Sequence, residues 1–141
     1  VRADRESNMV AFSDDVTVWP SATPCQCPAR PWEVVQLGNS GSPIETPAGW
    51  LVLTHAVGPM RTYRIGALLL DLDDPTHVVG HLREPLLVPE ADERDGYVPN
   101  VVYSCGALVH AGTLVLPYGV SDAAIRVATV PVAEVLDAMG P

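Results

Sequence analysis

The feature that most constrains this chain is a succession of short apolar runs, rich in Val, Ile, Leu and Tyr, separated by clusters of Gly, Pro and Asp. Runs spaced about ten residues apart in this way are typical of antiparallel β-structure. They predict strands at residues 9–13, 16–19, 42–46, 50–57, 63–72, 78–82, 100–110, 113–120 and 124–130. The dipeptide Ala111-Gly112 predicts a tight hairpin. We therefore predict an all-β fold.

Only the end of the chain carries a helical pattern. Pro131 suits the first turn of a helix, and the apolar residues from there to Met139 recur at helical spacing. We predict a short C-terminal helix over residues 131–139.

The predicted strands fall into groups that resemble the blades of a β-propeller. Residues 42–85 hold four strands and residues 99–130 hold three more, and blade-like periods run to about 40–50 residues. Residues 1–19 supply two short strands of the outer-blade kind, and the chain starts with Val. Because closure takes about four to eight blades, we expect residues 1–141 to be one incomplete propeller domain. An exposed blade edge before Met9 predicts self-association.

Composition narrows the function classes. With 48% hydrophobic residues in 141, the chain can bury a core. Its net charge of −9, with 8 basic residues that are all Arg, argues against a nucleic-acid partner. Without a long apolar run or a signal-peptide pattern, we expect no membrane partner and a cytoplasmic location.

The chain shows no pattern of a metal or disulfide framework. The chain has three cysteines, Cys25, Cys27 and Cys105, and an odd number does not suit a disulfide framework. The histidines are not spaced to complete a zinc site with Cys25 and Cys27. We expect no metal and no cofactor. The acidic residues at 71–74 are read as turn formers before Pro75.

Polar groups stand near the ends of the apolar runs. Glu45 and His55 lie on two successive predicted strands, and Asn100, Tyr118 and Asp122 repeat this arrangement later in the chain. Carboxylate, amide and imidazole groups together offer the donors and acceptors that sugar hydroxyls need. The pattern predicts part of a sugar-processing site.

Several separate motifs give the chain a family resemblance. It resembles the carboxy-terminal half of glycoside hydrolase family 130, the β-mannoside phosphorylases and β-mannosidases, through residues 42–46 with 49–51, 63–75, 98–102 with Cys105-Gly106, and Tyr118-Gly119 followed by Asp122. The resemblance implies a five-bladed propeller, of which about two and a half blades are present. It also implies an oligosaccharide substrate at the propeller axis, and an Asp proton donor for which this chain has no matching position.

The resemblance bears on the type of reaction through Glu45. Phosphorylases of the family hold the attacking phosphate with cationic residues, one of them a Lys where this chain has Glu45. A carboxylate there would repel phosphate but could take a proton from water, as the base of an inverting hydrolase does. We therefore expect Glu45 to be catalytic and hydrolysis to be favoured.

The resemblance also implies substrate contacts at His55, Arg61, Asn100, Tyr118 and Asp122. Each has a purely structural alternative: a hydrogen-bonded core histidine, a surface cation, a turn residue, a core tyrosine and a hairpin turn, respectively.

Two alternatives to hydrolysis stay open. The first is a mannoside phosphorylase in which inorganic phosphate, as co-substrate, enters through Arg61 and Arg64. The second is a truncated, non-catalytic remnant that binds sugar. Since the general acid is absent from the chain, we expect these residues alone to be inactive.

Overall fold

A computed structural model describes residues 7–141, and these residues form an almost entirely β fold. The strands and the helix are β1 (Asn8–Val10), β2 (Thr23–Gln26), β3 (Gln36–Asn39), β4 (Ile44–Thr46), β5 (Gly49–Val57), β6 (Tyr63–Leu70), β7 (Val78–Leu82), β8 (Val102–Tyr103), β9 (Leu108–His110), β10 (Thr113–Val120), β11 (Ala124–Pro131), α1 (Val132–Asp137) and β12 (Met139–Gly140). Single 3₁₀ turns span Pro59–Arg61 and Ala91–Glu93. No helix among the described residues has the length and apolarity to cross a membrane.

The larger sheet has the strand order β12-β7-β6-β5-β3, and β4 pairs with the first part of β5. Its two long central strands, β5 and β6, pair in continuous antiparallel register from Trp50 opposite Leu70 to Val57 opposite Tyr63. Both strands are buried over most of their length. Burial on both faces explains why their sequences are nearly continuous apolar runs and do not alternate with polar residues.

The second sheet has the order β11-β10-β8, with β9 also paired to β10. Ala111 and Gly112 link β9 to β10 with φ values of 47° and 75°. Positive φ at both central residues is the geometry of a two-residue hairpin turn, so the predicted hairpin is confirmed. The strands β10 and β11 then pair along their whole length, from Thr113 opposite Pro131 to Val120 opposite Ala124.

One apolar core joins the two sheets. Leu51, Leu53 and Ile65 contribute from the larger sheet, and Leu114 and Leu116 contribute from the second, all of them buried. Burying each such side chain is worth about 1.5–3 kcal/mol. Packing between the sheets is therefore a principal source of stability.

The helix α1 confirms the predicted C-terminal helix but ends earlier than residue 139. Met139 and Gly140 instead pair with Leu82 and His81 of β7. Val135 on α1 is buried in the core between the sheets. A backbone that leaves the helix can satisfy its hydrogen bonds at the free edge of β7, which a helical pattern alone does not indicate.

The amino-terminal region departs most from the sequence prediction. The first six residues of the predicted 1–19 segment lie outside the described residues. The predicted strand 16–19 is wrong: the chain turns there, and the Asp15 carboxylate accepts hydrogen bonds from the backbone N–H and hydroxyl of Thr17. The strand that pairs with β1 is β2, at Thr23–Gln26. An Asp that binds its own neighbouring backbone favours a turn over a strand.

Two further differences concern strand limits. The strand β3 was not predicted, because Gly38 and Asn39 are poor strand formers, yet it pairs with β5. The predicted strand 100–110 is divided into β8 and β9. Between them the Ser104 hydroxyl lies 2.8 Å from the carbonyls of both Gly106 and Pro117 and accepts a hydrogen bond from the Gly106 backbone N–H, and the chain bends there.

A buried carboxylate fastens the loop before β8 to the second sheet. Glu93 is 1% exposed, although it lies in an acidic run. Its carboxylate accepts hydrogen bonds from the Tyr118 hydroxyl at 2.9 Å, the Arg126 guanidinium at 2.8 Å and the Glu90 backbone N–H at 2.9 Å. The Ser121 hydroxyl donates to the Glu93 carbonyl. Glu93 therefore holds the loop to the second sheet through hydrogen bonds with Tyr118, Ser121 and Arg126.

We predict that Glu93→Gln lowers the free energy of unfolding by about 1–3 kcal/mol, because a neutral amide cannot serve all of these donors. Asp92→Asn is the matched control, since Asp92 contacts the same Arg126 from an exposed position and exposed ion pairs contribute little. Urea unfolding of the two variants measures the difference. Equal losses would contradict the role given to Glu93.

Candidate functional site

The candidate site is built around His55, which lies near the end of β5. In the sheet it stands between Gly38 of β3 and Ile65 of β6. Because side chains alternate along a strand, His55 projects from the same face as Leu53, the face that carries the core between the sheets. Gly38 has no side chain, so the ring has space on the β3 side.

A buried hydroxyl lies against the imidazole. Ser40 follows β3 and is 2% exposed, and its backbone N–H donates to the Leu53 carbonyl at 2.9 Å. Its Oγ atom lies 3.3 Å from His55 Nδ1, within hydrogen-bond distance. Which of the two groups donates depends on the tautomer of the ring. We expect this contact to orient the imidazole.

Two tyrosine rings flank His55. The Tyr63 ring, at the start of β6, is nearly parallel to the imidazole, with centroids 6.3 Å apart and an interplanar angle of 13°. The Tyr103 ring lies 5.1 Å away at an angle of 60°. Tyr103 belongs to β8 of the second sheet, so the packing of one sheet on the other completes this group.

His55, Tyr63 and Tyr103 line a cleft of about 540 Å³. The remainder of its wall comes from β1, β3 and the residues beside them: Ser7, Asn8, Met9, Gln36, Gly38 and Asn39. Within residues 7–141, the wall contains amide, hydroxyl, imidazole and aromatic groups but no Asp, Glu or Arg. Amides and hydroxyls both donate and accept hydrogen bonds, and tyrosine offers an apolar ring face with a polar tip. The cleft therefore suits a polyhydroxylated ligand with apolar ring faces.

Glu45 does not lie at this cleft. It pairs with Trp50 at the beginning of β5. Trp50 lies five residues before His55, a distance of about 16 Å along the strand. Directly paired residues lie on the same face of a sheet, so Glu45 shares the face of Trp50. Trp50 and His55 are an odd number of residues apart on β5, so His55 lies on the opposite face. Glu45 is exposed there. The structure thus separates the predicted catalytic carboxylate from His55.

Tyr118 and Asp122 line a second cleft of about 650 Å³, which Tyr103 also lines. Tyr118 is buried, and its hydroxyl is bonded to Glu93. Burial and this hydrogen bond raise the pKa of Tyr118 above its usual range. Asp122 is exposed in the β10–β11 turn, with a φ of 52°. Because Tyr103 lines both clefts, the two are neighbours.

Asn100 and Arg61 line neither of these clefts. Asn100 has a φ of 61°, its backbone N–H donates to the Arg94 carbonyl at 3.2 Å, and its carbonyl accepts from the Tyr63 backbone N–H at 3.0 Å. Asn tolerates this left-handed conformation better than most residues. Arg61 is exposed in the 3₁₀ turn between β5 and β6.

Sequence reasoning missed Ser40, Tyr63 and Tyr103 as site residues. Tyr63 could have been found from strand alternation, because it shares a sheet face with Ile65 and lies near the end of β5. No such pattern in the sequence indicates that Tyr103 belongs to the site. Its approach to His55 depends on the packing of two sheets from distant parts of the chain.

Comparison with known proteins agrees with this architecture. The model of glycoside hydrolase family 130, described as beta-1,4-mannooligosaccharide phosphorylase, matches residues 5–140. The chain is 41% identical over 128 residues to the 1,2-beta-oligomannan phosphorylase of Thermoanaerobacter sp. (strain X514), covering 89% of this chain and 43% of that protein. The chain belongs to glycoside hydrolase family 130.

Solved structures give the same result. The complex of beta-1,2-mannobiose phosphorylase from Listeria innocua with beta-1,2-mannobiose superposes with a TM-score of 0.88 at 32% identity, covering 98% of this chain and 40% of that one. The fold is a partial five-bladed β-propeller, as predicted. The chain spans about two fifths of the length of the relatives it matches. Their names are those of phosphorylases, so they do not confirm the expectation of hydrolysis.

We predict that Ser40→Ala changes the environment of His55. Removing the buried hydroxyl should lower the free energy of unfolding by about 1–2 kcal/mol and shift the ¹⁵N resonances of the imidazole. Ser42→Ala is the control, because Ser42 is exposed nearby and lies outside the His55 cleft. Unchanged imidazole resonances in Ser40→Ala would show that the contact does not orient the ring.

Proposed function

We propose that this chain provides part of the active site of a β-mannoside phosphorylase, with the His55 cleft as its sugar site. The observation that supports phosphorolysis over hydrolysis is the position of Glu45. A hydrolase needs a general base beside the attacking water. The carboxylate predicted for that task projects from the opposite face of the sheet.

Phosphorolysis does not require such a base, because inorganic phosphate reaches the site already ionised. An oxygen of phosphate attacks the anomeric carbon while the bond from that carbon to the glycosidic oxygen breaks. The departing oxygen takes a proton from a general acid. No residue of this chain is assigned as that acid. The products are a mannose 1-phosphate and a shortened saccharide.

Different side chains of the cleft suit different parts of the substrates. The rings of Tyr63 and Tyr103 offer apolar surfaces to the C–H faces of a sugar. The amides of Gln36 and Asn39 offer donors and acceptors to its hydroxyls. His55, oriented by Ser40, provides a ring nitrogen for a phosphate oxygen or a hydroxyl.

The substrate class follows from the relatives. The relatives at 41% and 32% identity described above are named for β-1,2-linked mannose, as the 1,2-beta-oligomannan phosphorylase and the beta-1,2-mannobiose phosphorylase. A relative at 33% identity is instead named 4-O-beta-D-mannosyl-D-glucose phosphorylase. We propose β-1,2-mannosides as the substrates. A solved structure at 25% identity, with a TM-score of 0.72, is described as one of the glycoside hydrolases of this family that target β-1,2-mannosidic linkages. Hydrolysis is therefore the outcome against which the proposal must be tested.

We predict that Tyr103→Ala weakens the binding of β-1,2-mannobiose to this chain by about 3- to 10-fold, because it removes one aromatic face of the cleft. Isothermal titration calorimetry measures the affinity. Tyr97→Ala is the control, since Tyr97 is 88% exposed and lies outside the cleft. Equal affinities in the two variants would place the sugar elsewhere.

The reaction type is tested in a chimera in which this chain replaces the matching 40% of the Listeria innocua phosphorylase. We predict that the chimera releases mannose 1-phosphate from β-1,2-mannobiose only when phosphate is present. Glu45→Gln should leave this rate close to that of the unmodified chimera. Release of free mannose without phosphate, reduced about 100-fold or more by Glu45→Gln, would instead identify a hydrolase with Glu45 as its base.

A further inference from the structure

A separate cleft of about 900 Å³ lies on the other side of the larger sheet from His55. Its wall includes Arg30, Arg64, Arg83 and His81, together with Trp32. Three of the six arginines in residues 7–141 therefore line one cleft in a chain whose net charge is −9. This concentration of cations is unexplained by the mannoside site.

Strand register accounts for the grouping. Arg64 pairs with Ala56 on β5, and His81 pairs with Leu68 on β6. Arg64 and Leu68 are an even number of residues apart, so Arg64 and His81 project from the same face of the sheet. His55 pairs with Ile65, one residue beyond Arg64, and so projects from the opposite face.

Close packing holds the two guanidinium groups at the cleft. The guanidinium of Arg64 packs directly against Gly58. If Gly58 carried a side chain, its Cβ atom would lie only 2.8 Å from Arg64 Nη1. The guanidinium of Arg83 lies over Gly140 in the same way, at 3.0 Å from the corresponding position. The Trp32 indole N–H donates to the Arg83 carbonyl at 3.3 Å. This hydrogen bond holds the Trp32 indole in the wall of the cleft.

The charges of the cleft are only partly balanced. Arg30 forms an ion pair of 3.0 Å with the buried Glu33, and Glu84 also lines the wall. In the part of the chain that the structure describes, neither Arg64 nor Arg83 forms an ion pair. Burial lowers the pKa of His81, and Arg30 and Arg83 lower it further, while Glu33 opposes them. Positive charge therefore converges on this imidazole.

We propose that the cleft between Arg64, Arg83 and His81 binds the phosphate group of a small anion, either inorganic phosphate or a sugar phosphate. Guanidinium groups bind phosphate oxygens with paired, charge-assisted hydrogen bonds. A neutral imidazole can add a further donor. This site is separate from the His55 cleft and does not depend on the reaction proposed there.

The indole N–H resonances of the three tryptophans provide the test. Trp19, Trp32 and Trp50 donate to three different carbonyls, and only Trp32 lines this cleft. In ¹H–¹⁵N spectra at constant ionic strength, we predict that inorganic phosphate shifts the Trp32 indole signal in a saturable way and leaves that of Trp19 unchanged. Mannose 1-phosphate and mannose, titrated in parallel, distinguish a sugar phosphate from the free ion: tighter binding of mannose 1-phosphate identifies the sugar phosphate.

Variants assign the effect to the two arginines. Arg83→Gln, at an exposed position, and Arg64→Gln should each weaken the response about tenfold or more. Arg94→Gln, outside the cleft, should not. His55→Ala should leave the Trp32 response intact, which separates this proposal from the mannoside site. The proposal is overturned if sodium chloride at equal ionic strength produces the same shift, or if Arg83→Gln and Arg64→Gln both bind phosphate as the parent chain does.

Discussion

The packing of the two sheets on one shared apolar core is the interaction on which the rest of this structure depends. Leu51 and Leu53 of β5 meet Leu114 and Leu116 of β10 in that core. His55 continues the same face of β5 beyond the leucines. The contact that removes apolar surface from water therefore also brings Tyr103 of the second sheet to the imidazole. Stability and the candidate site have a common origin.

The alternation of side chains along β5 and β6 then separates two kinds of chemistry. One face presents His55 and Tyr63, in a cleft whose described wall holds no carboxylate or guanidinium group. The opposite face presents Arg64 and, on β4, Glu45. A shift of register by one residue would exchange these sets. The long, continuous pairing of the two strands prevents such a shift.

The sequence predicts the long elements well because burial determines them. The strands β5, β6 and β10 lie close to the predicted limits because apolar runs of eight or nine residues have few alternatives in an all-β chain. The strand β3 was missed because Gly38 and Asn39 are poor strand formers, and its pairing with β5 overrides that weak propensity. Residues 16–19 were apolar enough for a strand, but the side chain of Asp15 stabilises a turn there.

The site was less predictable than the fold for a related reason. His55 could be found from its place at the end of a strand, whereas the approach of Tyr103 arises only when distant segments pack together. Glu45 has the right chemistry for a base, yet the strand pairing turns it away from the cleft. The buried network of Glu93 was hidden in an acidic run, because its partners Tyr118 and Arg126 lie more than twenty residues along the chain.

The most direct test of the central claim is an NMR measurement of contacts between this chain and bound β-1,2-mannobiose. If the His55 cleft is the sugar site, nuclear Overhauser effects should connect sugar protons with the ring protons of Tyr63 and Tyr103. Effects confined to Trp50 and Phe12, which line an apolar cleft on the opposite face of the sheet, would contradict the account. The sugar would then bind on the side that carries Glu45.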